Sequence, residues 1–221
     1  MPAVIGYIVA LAAMLLQTPA PFSGDNATQI IDNPRVTVFD VPSTTGKPTS
    51  MHRHAYDTVV VYPSGGAVYV TGESGASGVA SQSTAVFQPK GVTHFDEGAS
   101  GDASRAIVIE LKDRVVAPIP NATGYQNAFP DRPGAKKVID NARVVAWDYT
   151  WTPGEPTPVH FHDKDVVVVF LEDGTLRSTT LTGEVTFNEI TVGKTMFNPR
   201  ARLHREELIK GKARALIVEL K

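Results

Sequence analysis

An all-β protein built as two tandem jelly-roll barrels is the architecture this sequence predicts, and three observations predict it. The chain repeats itself after about 108 residues, glycine and proline cut it into short β-branched segments, and no helical periodicity of any length follows the first 24 residues. Many short strands between such turns indicate a sandwich or a barrel. A later strand can then lie beside an earlier one.

The repeat can be checked position by position. Asp32 and Asp140, His52 and His160, and Gly66 and Gly174 are each 108 apart, His94 and His204 are 110 apart, and Arg105 and Arg214 are 109 apart. Offsets that steady mean a duplicated domain. Each unit carries enough strands to enclose a core, so this is not a solenoid. The division expected is a leader over 1–24, an N-terminal barrel over 32–112, a proline-rich extended linker over 113–139 and a C-terminal barrel over 140–221.

The elements follow in order. Val36 to Val41 alternates and reads as a strand, and 42–48 is rich in turn residues. A short strand at His52 comes next, then Thr58 to Tyr62, a turn through Gly66, and Ala67 to Thr71. The Gly- and Ser-rich stretch 72–83 holds a weak strand and a loop, and Ala85 to Gln88 is a further strand before the Pro89-Lys90-Gly91 turn. Arg105 to Lys112 closes the unit, and Arg214 to Lys221 closes the second almost identically.

Composition narrows the function. A net charge of -2 gives no electrostatic reason to expect nucleic acid, and the absence of cysteine removes disulfides, thiolate metal sites and cysteine nucleophiles together. The apolar run from Ala3 to Leu16 has the size of a signal-peptide core, although cleavage after Ala20 would leave Pro21 next. Export, to a secreted or periplasmic location, or an N-terminal membrane tether is the reading preferred over a buried helix. Asn26 and Asn121 each begin a glycosylation triplet, a pattern that chance often produces.

All six histidines fall into the repeat. His52 and His54, like His160 and His162, are two residues apart, the spacing that puts both imidazoles on one side of a strand. His94 and His204 complete two sets of three. A lone histidine is usually a surface or satisfied core residue; six in a duplicated pattern point to a transition metal, two ions per chain at saturation.

These residues resemble the cupin superfamily, and the duplication resembles a bicupin. Gly46 followed by His52 and His54 meets the family's first motif; Pro89, Gly91 and His94 meet its second. In the second unit Gly193, Pro199 and His204 match, with Ala201 in place of the motif's glycine. The resemblance spans nearly everything beyond residue 31 and implies the cupin barrel. It also implies a fourth ligand, a glutamate four or five residues after the second histidine, where this chain has only Asp57 and Asp165 three residues after it. Each aspartate is therefore an optional ligand, a partner of a ligating imidazole, or a turn cap.

Three neutral imidazoles leave positions of a six-coordinate ion open to a substrate oxygen, water or dioxygen. Iron or manganese is preferred, and nickel, copper and zinc also fit such ligands. Alternation from Asp57 and Asp165 predicts that Val59, Val61, Val167 and Val169 line the pocket, with Phe87, Phe95, Trp147, Trp151 and Phe197 as further candidates. Glu73, Glu97, Glu206 and Glu207 read as solvated, and Arg200, Arg202 and Arg205 crowd His204. The function expected is a metal-dependent enzyme acting on a small molecule, dioxygenase-like before isomerase or decarboxylase. The alternative is a non-catalytic module that binds a small ligand or a metal. Self-association into a homo-oligomer stays open.

Overall fold

The structure is a computed structural model that describes residues 27–43, 47–64, 68–72, 74–75, 77–81, 83–98, 104–130 and 132–221. The leader, Asn26, Gly46, Gly66 and Glu73 lie outside the described residues. Among the described residues there is no helix. The first unit comprises β1 (Thr28–Asp32), β2 (Val36–Ser43), β3 (His52–Arg53), β4 (Asp57–Ser64), β5 (Val68–Gly72), β6 (Ser77–Ala80), β7 (Ala85–Gln88), β8 (Thr93–Gly98) and β9 (Ser104–Leu111). A short β10 (Gln126–Asn127) follows in the connector. The second unit comprises β11 (Lys136–Asp140), β12 (Val144–Trp151), β13 (His160–Phe161), β14 (Val166–Phe170), β15 (Gly174–Thr180), β16 (Val185–Ile190), β17 (Thr195–Asn198), β18 (Leu203–Gly211) and β19 (Ala213–Leu220).

Each unit folds into two sheets with the same strand order. The first has β1-β2-β9-β4-β7 and β3-β8-β5-β6; the second has β11-β12-β19-β14-β17 and β13-β18-β15-β16, with β10 added beside β13. Strands distant in sequence become neighbours, as the jelly roll demands. The connector is thus more than a spacer, because β10 pairs in parallel with β13 and extends the second barrel's sheet.

Alternation along the strands of the two larger sheets divides their side chains between two cores. Val36, Val38, Val59, Val61, Ile107 and Ile109 point one way, Val144, Ala146, Val167, Val169, Leu216 and Val218 point the other, and together they form one apolar cluster shared by both units. The opposite faces fill the barrels: Phe39, Val60, Tyr62 and Val108 in the first, Trp147, Tyr149, Val168, Phe170 and Ile217 in the second. With both faces covered, these strands need no polar side, which is why they read as runs such as Val166 to Phe170. Burying each aliphatic side chain of this size is worth about 1.5–3 kcal/mol.

Two ion pairs cross between the units in a symmetric exchange. Arg143 reaches Asp57 at 2.8 Å, and Arg35 reaches Asp165 at 3.6 Å. Arg105, paired with Asp40, also donates to the Val192 carbonyl at 2.9 Å. Its guanidinium lies where a Cβ at residue 193 would fall, and the backbone there has a φ of 79°, so Gly193 is required on both counts. At Ala201 the chain keeps the left-handed turn, with φ 69°, that Gly91 adopts in the first unit.

Because the central core belongs to both units, they are expected to unfold together. Ile109→Ala, fully buried in that core, should lower stability by about 2–5 kcal/mol and shift one calorimetric transition; two separately moving transitions would show that each barrel stands alone.

Candidate metal centres

The short strand β3 lies antiparallel to β8 with His52 directly opposite His94. The extended backbone continues past β3, where His54 N donates to the Val92 carbonyl and Gly91 N donates to the His54 carbonyl, each at 2.9 Å. The period of two therefore carries His54 to the same side as His52. One ring nitrogen from each of His52, His54 and His94 lies within 4.8 Å of the others.

The tautomers of two of these rings follow from their partners. His52 Nδ1 lies 2.9 Å from the Ser50 carbonyl, which can only accept, so Nδ1 carries the proton. Thr58 donates its hydroxyl to the Tyr56 carbonyl at 3.1 Å, so at 3.0 Å it accepts from His54 Nδ1. Both rings thus carry their proton on Nδ1 and leave Nε2 unprotonated, the tautomer a metal needs. His54 Nε2 and His94 Nε2 stand 2.7 Å apart, a separation at which the two nitrogens share a proton or a metal ion. Burial pulls the pKa of His54 to about 4 and of His94 to about 3, and lowers that of His52 too. These residues fit a divalent transition ion.

The second cluster repeats the scaffold. His160 lies opposite His204 across β13 and β18, His162 N donates to the Arg202 carbonyl, and the three rings again converge within 4.8 Å. His160 Nδ1 donates to the Pro158 carbonyl at 2.9 Å, and His204 Nδ1 meets the Ser178 hydroxyl at 2.9 Å. Burial holds His160 at about 3 and His162 well below the ordinary imidazole value. A cavity of about 40 Å³ adjoins this cluster, with Trp151, Val168, Phe170, Leu176, Met196 and Ile217 as its apolar wall.

The structure places several expected site residues elsewhere. Asp57 and Asp165 do not join the clusters: Asp57 accepts from Lys90 N at 2.9 Å and pairs with Arg143, and Asp165 accepts from Arg200 N at 2.9 Å and pairs with Arg35. They cap the turns that precede the third histidines, and a side chain of aspartate length spent there has no reach to spare. Val59, Val61, Val167 and Val169 lie on the sheet face opposite the pocket, in the core between the units, and Phe87 and Phe197 pack against that core. Trp147 donates to Glu219 at 2.9 Å within the barrel, and Phe95 is half-buried on β8. Of the aromatic candidates, Trp151 lines the cavity. Arg202 lines it too, Arg200 caps the Ala117 carbonyl at 2.5 Å, and Arg205 is exposed.

Two kinds of residue at these sites were not expected. Asp96 and Glu206 each follow the third histidine by two, so the strand period turns them into their barrels; Asp96 Oδ1 lies 3.5 Å from His94 Nδ1, and Glu206 accepts from Trp151 Nε1 at 3.2 Å. Glu206 is not solvated, whereas Glu207 pairs with Arg177. Burial raises Asp96 to about 6 while it keeps His94 neutral, so that contact is not an ion pair at neutral pH. The second is Arg132, from the connector. It is 4% exposed, comes within 2.6 Å of His160 Nε2, pairs with Glu206 at 3.6 Å, and lies 4.6 Å over the Tyr149 ring.

Fold and sites together define a two-barrel protein with a three-histidine cluster in each barrel. No protein-family model matches the chain, and no curated protein sequence does. Solved structures do. A cupin 2 conserved barrel domain protein from Leptotrichia buccalis superposes with a TM-score of 0.58 at 12% identity, covering 92% of each chain. A salicylate 1,2-dioxygenase from Pseudaminobacter salicylatoxidans gives 0.62 at 12% identity over 87% of this chain and 75% of its own. An oxalate decarboxylase gives 0.58 at 13% identity over 84% and 68%. These likenesses are ones of fold: the chain shares the barrel architecture of these structures, one of them a cupin barrel domain protein.

Two outcomes are expected from this geometry. Asp57→Asn should lower stability by about 1–3 kcal/mol and leave metal affinity within a few fold, whereas His54→Ala should abolish binding at the first cluster; equal losses in a metal titration would make Asp57 a ligand. The metal-free protein should also lose stability in acid. An imidazole whose folded pKa is depressed contributes stability in full above its unfolded value near 6.5 and loses it as pH falls towards the folded values of about 4 and 3. Urea midpoints that stay level from pH 7 to pH 4 would contradict the burial of neutral rings.

Proposed function

We propose that this chain is a metal-dependent enzyme that carries out oxygen-dependent, dioxygenase-like oxidation of a small apolar or oxyanionic molecule at a three-histidine centre. The observation that carries the proposal is the first cluster, where the Ser50 carbonyl and Thr58 hydroxyl set the Nδ1-protonated tautomers of His52 and His54 and the rings converge with His94. An iron or manganese ion held there supplies open coordination positions for a substrate oxygen and dioxygen side by side. The chain's own part is to hold, orient and shield. Apolar residues of the barrel interior, Phe39, Val60, Val68 and Val108 in the first unit, exclude bulk water from the reacting groups.

Oxidation is preferred over isomerisation because moving protons within a substrate needs an acid and base pair in hydrogen-bond reach. Near the first cluster the described carboxylate that faces inward is Asp96, and one such group does not make a pair. A likeness in fold to a salicylate 1,2-dioxygenase agrees with the reading, and the likeness to an oxalate decarboxylase keeps carbon-carbon cleavage without net oxidation as the competing outcome. The leader sequence adds the proposal that the protein works after export or on a membrane tether.

The test is turnover of a panel of small aromatic and aliphatic acids by protein reconstituted with iron(II) or manganese(II), followed with an oxygen electrode. Oxygen uptake in step with substrate loss is expected. Turnover at an unchanged rate under strict anaerobiosis would reject oxidation and leave isomerisation or decarboxylation.

A further inference from the structure

The two clusters share a scaffold and differ in charge. At the second, one guanidinium nitrogen of Arg132 lies 2.6 Å from His160 Nε2 and 3.3 Å from Nδ1 of the same ring, so it sits against the ring beside Nε2 and not along the lone pair. That lone pair is the one a metal would take, because Nδ1 of the same ring is already committed to the Pro158 carbonyl at 2.9 Å. A zinc-like ion would sit about 2.1 Å from this nitrogen along its lone pair, close beside a buried guanidinium that repels it across a poorly screened gap. The guanidinium therefore opposes the ion by its charge and not by filling its place.

Arg132 is held where it is. Its guanidinium lies 5.0 Å from the Phe129 ring centroid and 4.6 Å from that of Tyr149, pairs with Glu206 at 3.6 Å, and is shielded from solvent. Glu206, the carboxylate best placed to favour a metal, is thereby already neutralised. Arg202 brings a second guanidinium to the same cavity, 3.4 Å from His204 Nδ1.

The first cluster has the opposite sign. Its nearby carboxylate, Asp96, is unopposed by a described guanidinium, and the sequence neighbour Arg53 points outward to the Gly91 carbonyl at 3.3 Å.

We propose that Arg132 is a built-in cation beside the metal position of the second cluster, so that the first cluster is the high-affinity metal site and the second binds a divalent ion weakly while that charge is in place. This rests on the metal reading above and adds which triad carries it. It divides the two ions expected per chain at saturation into one tight and one weak site.

Equilibrium dialysis of the full chain against manganese(II) or cobalt(II), read by elemental analysis, tests it. One tight equivalent is expected, with the second bound at least 100-fold more weakly. His94→Gln should abolish the tight equivalent and His204→Gln should leave it. Arg132→Gln, which keeps a planar group against Tyr149 without the charge, should bring the second site to within tenfold of the first. Two equal sites in the unaltered protein would overturn the proposal, and so would a tight equivalent lost with His204 rather than His94. A second site that stays weak in folded Arg132→Gln would overturn it as well; if that variant fails to fold, the two histidine variants decide alone. No metal at either cluster would sink the metal reading together with the proposal, whereas equal loading would leave that reading intact.

Discussion

The alternation of side chains along β2, β4 and β9, and along their counterparts β12, β14 and β19, is the constraint on which the rest of this structure depends. One set of residues meets the other unit and the next set fills a barrel, so a shift by one residue would exchange the core between the units for the lining of a site. Val167 and Val168 show how sharp the division is: the first packs in the shared core, and the second stands in the wall of the cavity beside His162. The histidine strands β3 and β13 are only two residues long and could not hold a register alone. They are placed by β8 and β18, and by the turns that Asp57 and Asp165 cap.

Much of this was legible in the residues. Steady offsets revealed the duplication, and the two-residue histidine spacing revealed strands with both rings on one side. What pattern could not decide was which sheet face looks inward, because an apolar run such as Val166 to Phe170 carries no polar side to break the tie. The sequence leaves Asp57 open between a ligand, a partner of a ligand and a turn cap, and it assigns the valines to the pocket on the reading that Asp57 points inward. The carboxylates that do face inward, Asp96 and Glu206, had a usable signal in their position two residues after His94 and His204. Arg132 had none, since an arginine among Pro130, Pro133 and Gly134 looks like a solvated turn until the connector is seen to dock on β13.

The exchanged ion pairs explain how duplication and site geometry are linked. Asp57 presents one oxygen to the turn leading to His94 and the other to Arg143 of the second unit. Docking of the units and positioning of the third histidine therefore use the same carboxylate, and the arrangement recurs at Asp165 with Arg35. Such pairs add modestly to stability, but their directionality fixes how the two sheets meet, which the apolar contact alone would leave free to slide.

A duplicated domain with intact ligands in both halves invites the conclusion that both halves do the same thing. The residues that ligate are only part of what selects an ion; the charges that surround them decide whether bringing a divalent cation into a dry barrel is favourable. Here the triads are matched ring for ring, and the carboxylate on the strand after each is matched as well. The difference comes from Arg132, which the connector brings to the second cluster and which lies outside the repeated framework. A change outside the repeated framework can thus separate the roles of two sites while every motif residue is retained, and counting histidines would never show it.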